Sequence, residues 1–199
     1  MININDISDE APYKEFTKFY KKALRTKQKN IEAVCISSFD SISKESNSRF
    51  VNLKYIIGDE WIFFSNYSSP KADEFVKNPN ISAVFFWSEV NIQIRMKAKI
   101  YKTDTIFSDK HFKNRDKSKN ALAILSEQSK FINNYDSFLN TYKNTIKDIS
   151  ETQIRPSFWG GYTFKPYFFE FWQGHKKRVN KREVFKSKNN KWETYFLQP

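Results

Sequence analysis

Residues 91–101, NIQIRMKAKIY, alternate without a break. Ile92, Ile94, Met96, Ala98 and Ile100 fall on one side; Gln93, Arg95, Lys97 and Lys99 fall on the other. A helix would scatter those apolar positions around its axis, whereas a strand collects them on one face. One apolar and one charged face describe a half-buried strand of an antiparallel sheet. Further strand-like runs surround it: IEAVCISSF at 31–39, RFVNLKYII at 49–57, EWIFFSN at 60–66 and ISAVFFW at 81–87. FKPYFFEFWQG, REVFKS and KWETYFL follow near the end. Gly58-Asp59 and Lys188-Asn189-Asn190 are plausible hairpin connections.

Helical spacing appears in three places. In PYKEFTKFYKKALRT, residues 12–26, Phe16, Tyr20 and Leu24 form an apolar stripe between lysines. In SSPKADEFVKNPN, residues 68–80, Ser69 is placed to cap a helix, Pro70 suits its first position, and Asn78-Pro79 stops it. Residues 105–149 are polar and helical in pattern, and RPSFWGGY at 155–162 reads as turn-rich. The expected fold is mainly β with flanking helices (α+β), an antiparallel barrel closed or partly closed. The 199 residues read as a single domain with an N-terminal helical segment at 1–28, a helical insertion at 105–150 and C-terminal strands at 155–199.

The formal charge of +12 attracts anions of any kind: nucleic acid, an acidic membrane surface or phosphorylated metabolites. A compositional bias towards Lys, Asn, Ile and Phe accounts for it equally well. Cys35 is the only cysteine, so no internal disulfide forms; in its apolar run it is expected to pack as a small hydrophobe. His111 and His175 are the only histidines, and no metal-ligand spacing connects them, so no metal site is expected. The N-terminus lacks a signal pattern and no apolar run reaches membrane-spanning length, so a cytoplasmic protein without a membrane partner is expected. Chemistry, if present, is expected from a cofactor.

Several stretches are candidates for binding. Arg49 and Lys54 lie five apart on one strand, which places them on opposite faces unless a bulge intervenes or the ligand is large. SSPKA puts Lys71 in the first turn of a helix, where free N–H groups, the dipole and the hydroxyls of Ser65 and Ser69 form a credible phosphate seat. Gln93, Gln128 and Ser129 are neutral donor–acceptors suited to a heterocycle's edge. In FWQGHKKRVNKREVF, residues 171–185, Gly174 permits a turn after the aromatic strand end, and Arg178 and Arg182 are placed to fork onto phosphate or carboxylate.

RFVNLK, FFSNYSSPKADEF, the Gln93 strand, EQS, RPSFWGGY and EFWQG…R…R, in this order, resemble pyridoxine/pyridoxamine 5′-phosphate oxidase, from about residue 31 to the terminal Leu-Gln-Pro. The resemblance implies an FMN-binding split barrel and a homodimer with FMN at the subunit interface. It implies hydride transfer from the substrate's C4′ carbon to flavin N5 and reoxidation by O₂. The products would be pyridoxal 5′-phosphate and H₂O₂, with ammonia when the amine is the substrate. By the same resemblance the flavin contacts fall on Arg49, Phe50, Val51, Asn52, Leu53, Lys54, Phe64, Ser65, Lys71, Gln93, Gln128, Ser129, Trp172 and Arg182. Contacts to a small phosphorylated pyridine fall on Lys54, His111, Arg115, Lys119, Arg178 and Asn180, with Arg178 and Asn180 nearest the chemistry.

Four positions depart from the family pattern. Pro70-Lys71 stands for Arg-Lys, His111 for a Tyr, Lys119 for a Ser (with Ser118 adjacent), and Asn180 for the His of an R-x-H. Asn neither becomes cationic nor relays a proton as His does. The alternatives are a related split-barrel flavoprotein with another substrate, or a barrel that holds FMN or pyridoxal phosphate without turnover. Nucleic acid is disfavoured as a partner, because the aromatic residues follow strand periodicity and so belong to a core.

Overall fold

A computed structural model describes residues 1–150, 153–189 and 191–199. In chain order the elements are β1 (Asn3–Asn5), α1 (Ala11–Arg25), β2 (Ala33–Asp40), β3 (Glu45–Ile57), β4 (Glu60–Asn66) and α2 (Pro70–Lys77). Next come β5 (Asn80–Trp87), β6 (Ile92–Lys102), α3 (Thr105–Lys113), α4 (Lys117–Leu125) and α5 (Tyr135–Asp148). The last are β7 (Trp159–Gln173), β8 (Lys181–Lys188) and β9 (Lys191–Leu197). Asn190, part of the expected final hairpin loop, lies outside the described residues.

Six strands close on themselves. β3 pairs β2, β2 pairs β5, β5 pairs β6, β6 pairs β7, β7 pairs β4, and β4 returns to β3, every pair antiparallel. The ring removes the exposed edges an open sheet would carry. On its edge away from β6, β7 serves two neighbours: Trp159–Phe164 pair with β4, and Phe168–Gln173 pair with β8. The change of partner coincides with a register shift beside Pro166, where β6 Lys97 opposes Phe168 and Ala98 opposes Pro166. Pro lacks the ladder donor and favours such an irregularity. β8 and β9 continue the sheet beyond the ring. This is the expected split antiparallel barrel with flanking helices.

β6 keeps the alternation read from its sequence: Ile92, Ile94, Met96, Ala98 and Ile100 are buried, while Arg95, Lys97 and Lys99 are exposed. The core is largely aromatic. Phe16 of α1 is fully buried and meets Trp61, Phe85 and Trp87 with ring centroids 4.5–6.0 Å apart. Tyr13 and Phe19 of the same helix reach Phe169 and Phe171. α1 therefore packs on the barrel core, away from the cavity described below.

Some local expectations are corrected. Trp159–Tyr162 are strand, not turn, and the glycines there serve close approach. A Cβ at Gly160 would stand 2.2 Å from the Tyr67 hydroxyl, and one at Gly161 would stand 2.5 Å from Thr103 Oγ1. Gly174 does precede the turn expected after β7, but what it allows is close approach, since a Cβ there would stand 1.9 Å from Asn91 Nδ2; the residue of that loop at positive φ is Arg178, at 61°. Cys35 is only half-buried, because Val34 and Ile36 take the core face of β2. Ser69 sits at the N-cap of α2 but its hydroxyl caps nothing; it donates to Asn66 O at 2.7 Å. The short strand β1, parallel to β3, carries no alternation long enough to read.

Candidate functional site

A cavity of about 870 Å³ opens beside β3 and β4, bounded by the start of α2, by α3 and α4, and by the segment after α4. That volume falls in the roughly 300–1,000 Å³ range of small-molecule sites. β3 contributes Arg49, Phe50, Val51, Asn52 and Lys54 to its wall. The parity conflict between Arg49 and Lys54 is resolved within one chain. β3 opposes β4 with Leu53 against Phe63 and then Tyr55 against Ile62, so Lys54 is the extra residue of a bulge. Leu53 and Ile56 are both fully buried, a three-residue spacing that a regular strand cannot keep on one face.

The cations of the wall form two groups. In the first, Arg49 is paired with the buried Glu74 at 3.2 Å, and Glu74 also accepts from Asn47 at 2.9 Å and from the Ser38 hydroxyl. Lys71, 8% exposed, donates to Ser69 Oγ at 2.8 Å and Gln128 Oε1 at 2.6 Å; Ser65 Oγ donates to the same Gln128 oxygen at 3.2 Å. Burial, then the nearby Arg49 charge, brings the Lys71 pKa down to about 8, against the opposing pull of Glu74.

Lys54, Arg115 and Lys119 make the second group, with His111 beside them. Lys54 is pushed below the ordinary lysine value by burial and by Lys119 and Arg115, with Glu32 acting the other way. Arg115 is well anchored: its guanidinium lies 4.4 Å from the Trp159 ring centre and donates to Asn120 Oδ1 at 3.2 Å. Lys119 pairs with Asp116. His111 stacks on Phe64 at 3.6 Å, and burial together with Arg115 and Lys54 lowers its pKa to about 4. The imidazole is therefore neutral at neutral pH.

Thirteen of the residues singled out from sequence line this one cavity: Arg49, Phe50, Val51, Asn52, Lys54, Phe64, Ser65, Lys71, His111, Arg115, Lys119, Gln128 and Ser129. Leu53 does not, because its side chain is sealed in the barrel core. Gln93, Trp172 and Arg182 also lie elsewhere, opposed to one another across β6, β7 and β8. Glu170 beside them is buried and receives Arg95 at 2.9 Å and Arg182 at 2.8 Å. Arg178 and Asn180 occupy the loop between β7 and β8, where Asn180 Oδ1 accepts from the His175 N–H at 3.0 Å.

Four residues that hold or meet the cavity side chains received no role from the sequence. Glu74 holds Arg49, Asn120 and Trp159 hold Arg115, and Tyr55 meets His111. Each acts through a contact fixed only by folding; Trp159 had stood inside a motif with no role attached to it.

The structure is thus a split antiparallel barrel with a cavity whose cations fall into two groups. Comparison with known proteins narrows the class. Residues 159–199 match the family model described as the pyridoxine 5′-phosphate oxidase C-terminal dimerisation region. Pyridoxine/pyridoxamine 5′-phosphate oxidase of Rippkaea orientalis is 31% identical over 190 residues, covering 94% of this chain and 89% of the relative. The Haemophilus influenzae (strain KW20) protein of that name is 33% identical, covering 96% and 90%. Among solved structures, PhzG from Burkholderia lata 383, in complex with tetrahydrophenazine-1-carboxylic acid, superposes with a TM-score of 0.88 at 20% identity, covering 98% of this chain and all of that one. The chain belongs to the pyridoxine/pyridoxamine 5′-phosphate oxidase family.

Proposed function

We propose that the protein is an FMN-dependent oxidase that uses O₂ to convert pyridoxine 5′-phosphate or pyridoxamine 5′-phosphate into pyridoxal 5′-phosphate and H₂O₂. The amine also consumes water and releases ammonia. The observation that carries this reading is the division of one cavity's cations into two groups. A flavin mononucleotide and a pyridine phosphate each bring one phosphate, and the cavity offers a basic seat for each.

The donor set fits FMN. Arg49 and Lys71 are both cations, both restrained, and opposed by the single carboxylate Glu74, which leaves net positive charge for a phosphate. Ser65, Gln128 and Ser129 line the same wall with neutral donors and acceptors. FMN bound there would supply the redox chemistry, accepting two electrons from the substrate's C4′ carbon and delivering them to O₂. The protein's own contribution is binding and orientation. Lys54, Arg115 and Lys119 would hold the substrate phosphate, with Arg115 pre-organised by Trp159 and Asn120.

The same reading makes the protein a homodimer. Trp172, Arg178, Asn180 and Arg182 stand apart from the chain's own cavity and fall within the stretch that matches a dimerisation region. A second copy would bring them to the first copy's flavin and substrate. Phe50 and Phe86, 73% and 56% exposed, are large apolar side chains that such contact would cover. In this arrangement Asn180 braces the loop that carries Arg178, and Arg178 is the group nearest the reacting carbon.

The fold alone leaves the substrate open, since PhzG shares it and was crystallised with a phenazine acid. The test is the visible spectrum of FMN-loaded protein without oxygen, before and after addition of each B6 phosphate. Bleaching of the flavin band with appearance of pyridoxal 5′-phosphate is the expected result. A protein that stays yellow with both would overturn the substrate, and one that never takes up FMN would overturn the whole reading.

A further inference from the structure

Tyr55 directly follows the bulge residue Lys54, and its hydroxyl lies 2.9 Å from Nδ1 of His111. The ring is held edge-on by Phe107 at 5.1 Å, Phe64 at 6.2 Å and His111 itself at 5.4 Å, so the hydroxyl has little freedom. His111 is fixed in turn by its stack on Phe64. Its other nitrogen, Nε2, has no hydrogen-bond partner among the described residues. It is not sealed in either: among the described residues the buried side-chain polar atoms without a partner are Thr17 Oγ1, Trp61 Nε1 and Tyr162 Oη. His111 lines the cavity together with Lys54, Arg115 and Lys119.

Resting on the phosphate-binding reading above, we propose that Tyr55 is a positioning residue: its hydroxyl donates to Nδ1, fixes His111 as the Nε2–H tautomer, and so presents Nε2–H as a donor to the substrate phosphate. The chemistry favours this direction. A phenol is a good donor and a poor acceptor, whereas the pyridine-type nitrogen of imidazole is a strong acceptor. The opposite tautomer would aim a lone pair at the anion. Neutrality matters as well. Lys54 and Arg115 already crowd the seat, and among the described residues no carboxylate is hydrogen-bonded to the imidazole, so a cationic ring would be repelled. A neutral N–H adds a hydrogen bond without adding a charge to the cluster.

The test uses the full-length protein loaded with FMN, in the wild-type form and as Tyr55→Phe, which deletes the hydroxyl and keeps the ring. With two histidines in the chain, side-chain ¹⁵N resonances are readily assigned, His175→Gln supplying the control. The wild type is expected to show protonated Nε2 and pyridine-type Nδ1, and added pyridoxal 5′-phosphate is expected to shift Nε2. In Tyr55→Phe the tautomer should become mixed. Affinity for pyridoxal 5′-phosphate should fall about 3–10-fold, the scale of one lost hydrogen bond, while that for unphosphorylated pyridoxal stays unchanged. KM for the phosphorylated substrate should rise with kcat nearly constant. An Nδ1–H tautomer in the wild type, or equal loss for pyridoxal and its phosphate, would overturn the inference and leave the oxidase reading intact. A wild type that takes up FMN but binds no pyridoxal 5′-phosphate would overturn both.

Discussion

Replacing Lys71 by Met should move stability and flavin binding in opposite directions. Lys71 is 8% exposed, and burial with the Arg49 charge lowers its pKa from the ordinary 10.5 to about 8. At about 1.4 kcal/mol per pH unit, that gap caps the cost of keeping the charge in the ligand-free protein at roughly 3 kcal/mol. Two hydrogen bonds, to Ser69 and Gln128, are lost in the variant and offset part of the gain. A net stabilisation of about 1 kcal/mol is expected, equivalent to a Tm rise of about 2–4 °C for a chain this size. Flavin affinity should drop about 10–100-fold, the scale of a charge-assisted hydrogen bond to phosphate.

The pH dependence sharpens this test. The folded-state pKa lies below the unfolded value, so between about pH 8 and 10.5 the unfolded chain binds more protons at this position. Wild-type stability contributed by Lys71 therefore rises with pH across that window. The Tm advantage of Lys71→Met should be full below pH 8 and shrink towards pH 10. Scanning calorimetry of flavin-free wild type and variant at pH 7, 8, 9 and 10, with flavin titration by fluorescence quenching, measures every part. A variant less stable than wild type at pH 7, or one whose FMN affinity is unchanged, would refute the claim that Lys71 is a strained cation held for an anion.

Trp159→Leu removes the ring under Arg115, 4.4 Å away, and should raise KM for the phosphorylated substrate about 3–30-fold in steady-state assays. Gly161→Ala places a Cβ 2.5 Å from Thr103 Oγ1 and 2.7 Å from Thr103 Cβ; an overpacking cost of about 1–3 kcal/mol should lower Tm measurably in calorimetry. Arg178→Ala should cut turnover at least about tenfold with flavin still bound. Arg178→Gly, which suits the φ of 61° better, should lose as much if the charge proposed to meet the substrate, and not the backbone, is what matters. Loss of flavin with turnover per bound flavin unchanged would contradict the assignment of Arg178 to the substrate.

The sheet was legible because its signal is local. β6 could be read residue by residue, since each apolar position reports its own face, and the starts and stops of α1 and α2 followed stripe, proline and asparagine. Which strands close the ring was not, because the pairing of β4 with β7 joins residues about a hundred positions apart and leaves no periodicity behind. Family resemblance supplied the cavity residues that individual chemistry could not have singled out. It did not supply Glu74, Asn120 or Tyr55, whose roles exist only as contacts across the fold. Gly160 and Gly161 were misread for a related reason: a glycine required by a neighbour's bulk looks, in sequence, like a glycine required by a turn.

The bulge at Lys54 ties these observations together. A regular β3 would give Arg49 and Lys54 opposite faces, and the strand could serve one anion seat only. Inserting one unpaired residue leaves Leu53 and Ile56 both in the core, so the barrel keeps its packing on either side of the irregularity. The extra residue is then free to carry a charge into the cavity, and the residue after it, Tyr55, is turned towards α3 and His111. One backbone irregularity thus places a cation in the cavity wall and a hydroxyl against His111. Deleting one residue at this position should therefore preserve the barrel's core pairing better than it preserves ligand binding. The two groups should also separate: Arg49 precedes the bulge and Lys71 sits on α2, so ligand contacts there keep their register, while those at Lys54 and His111 depend on the bulge.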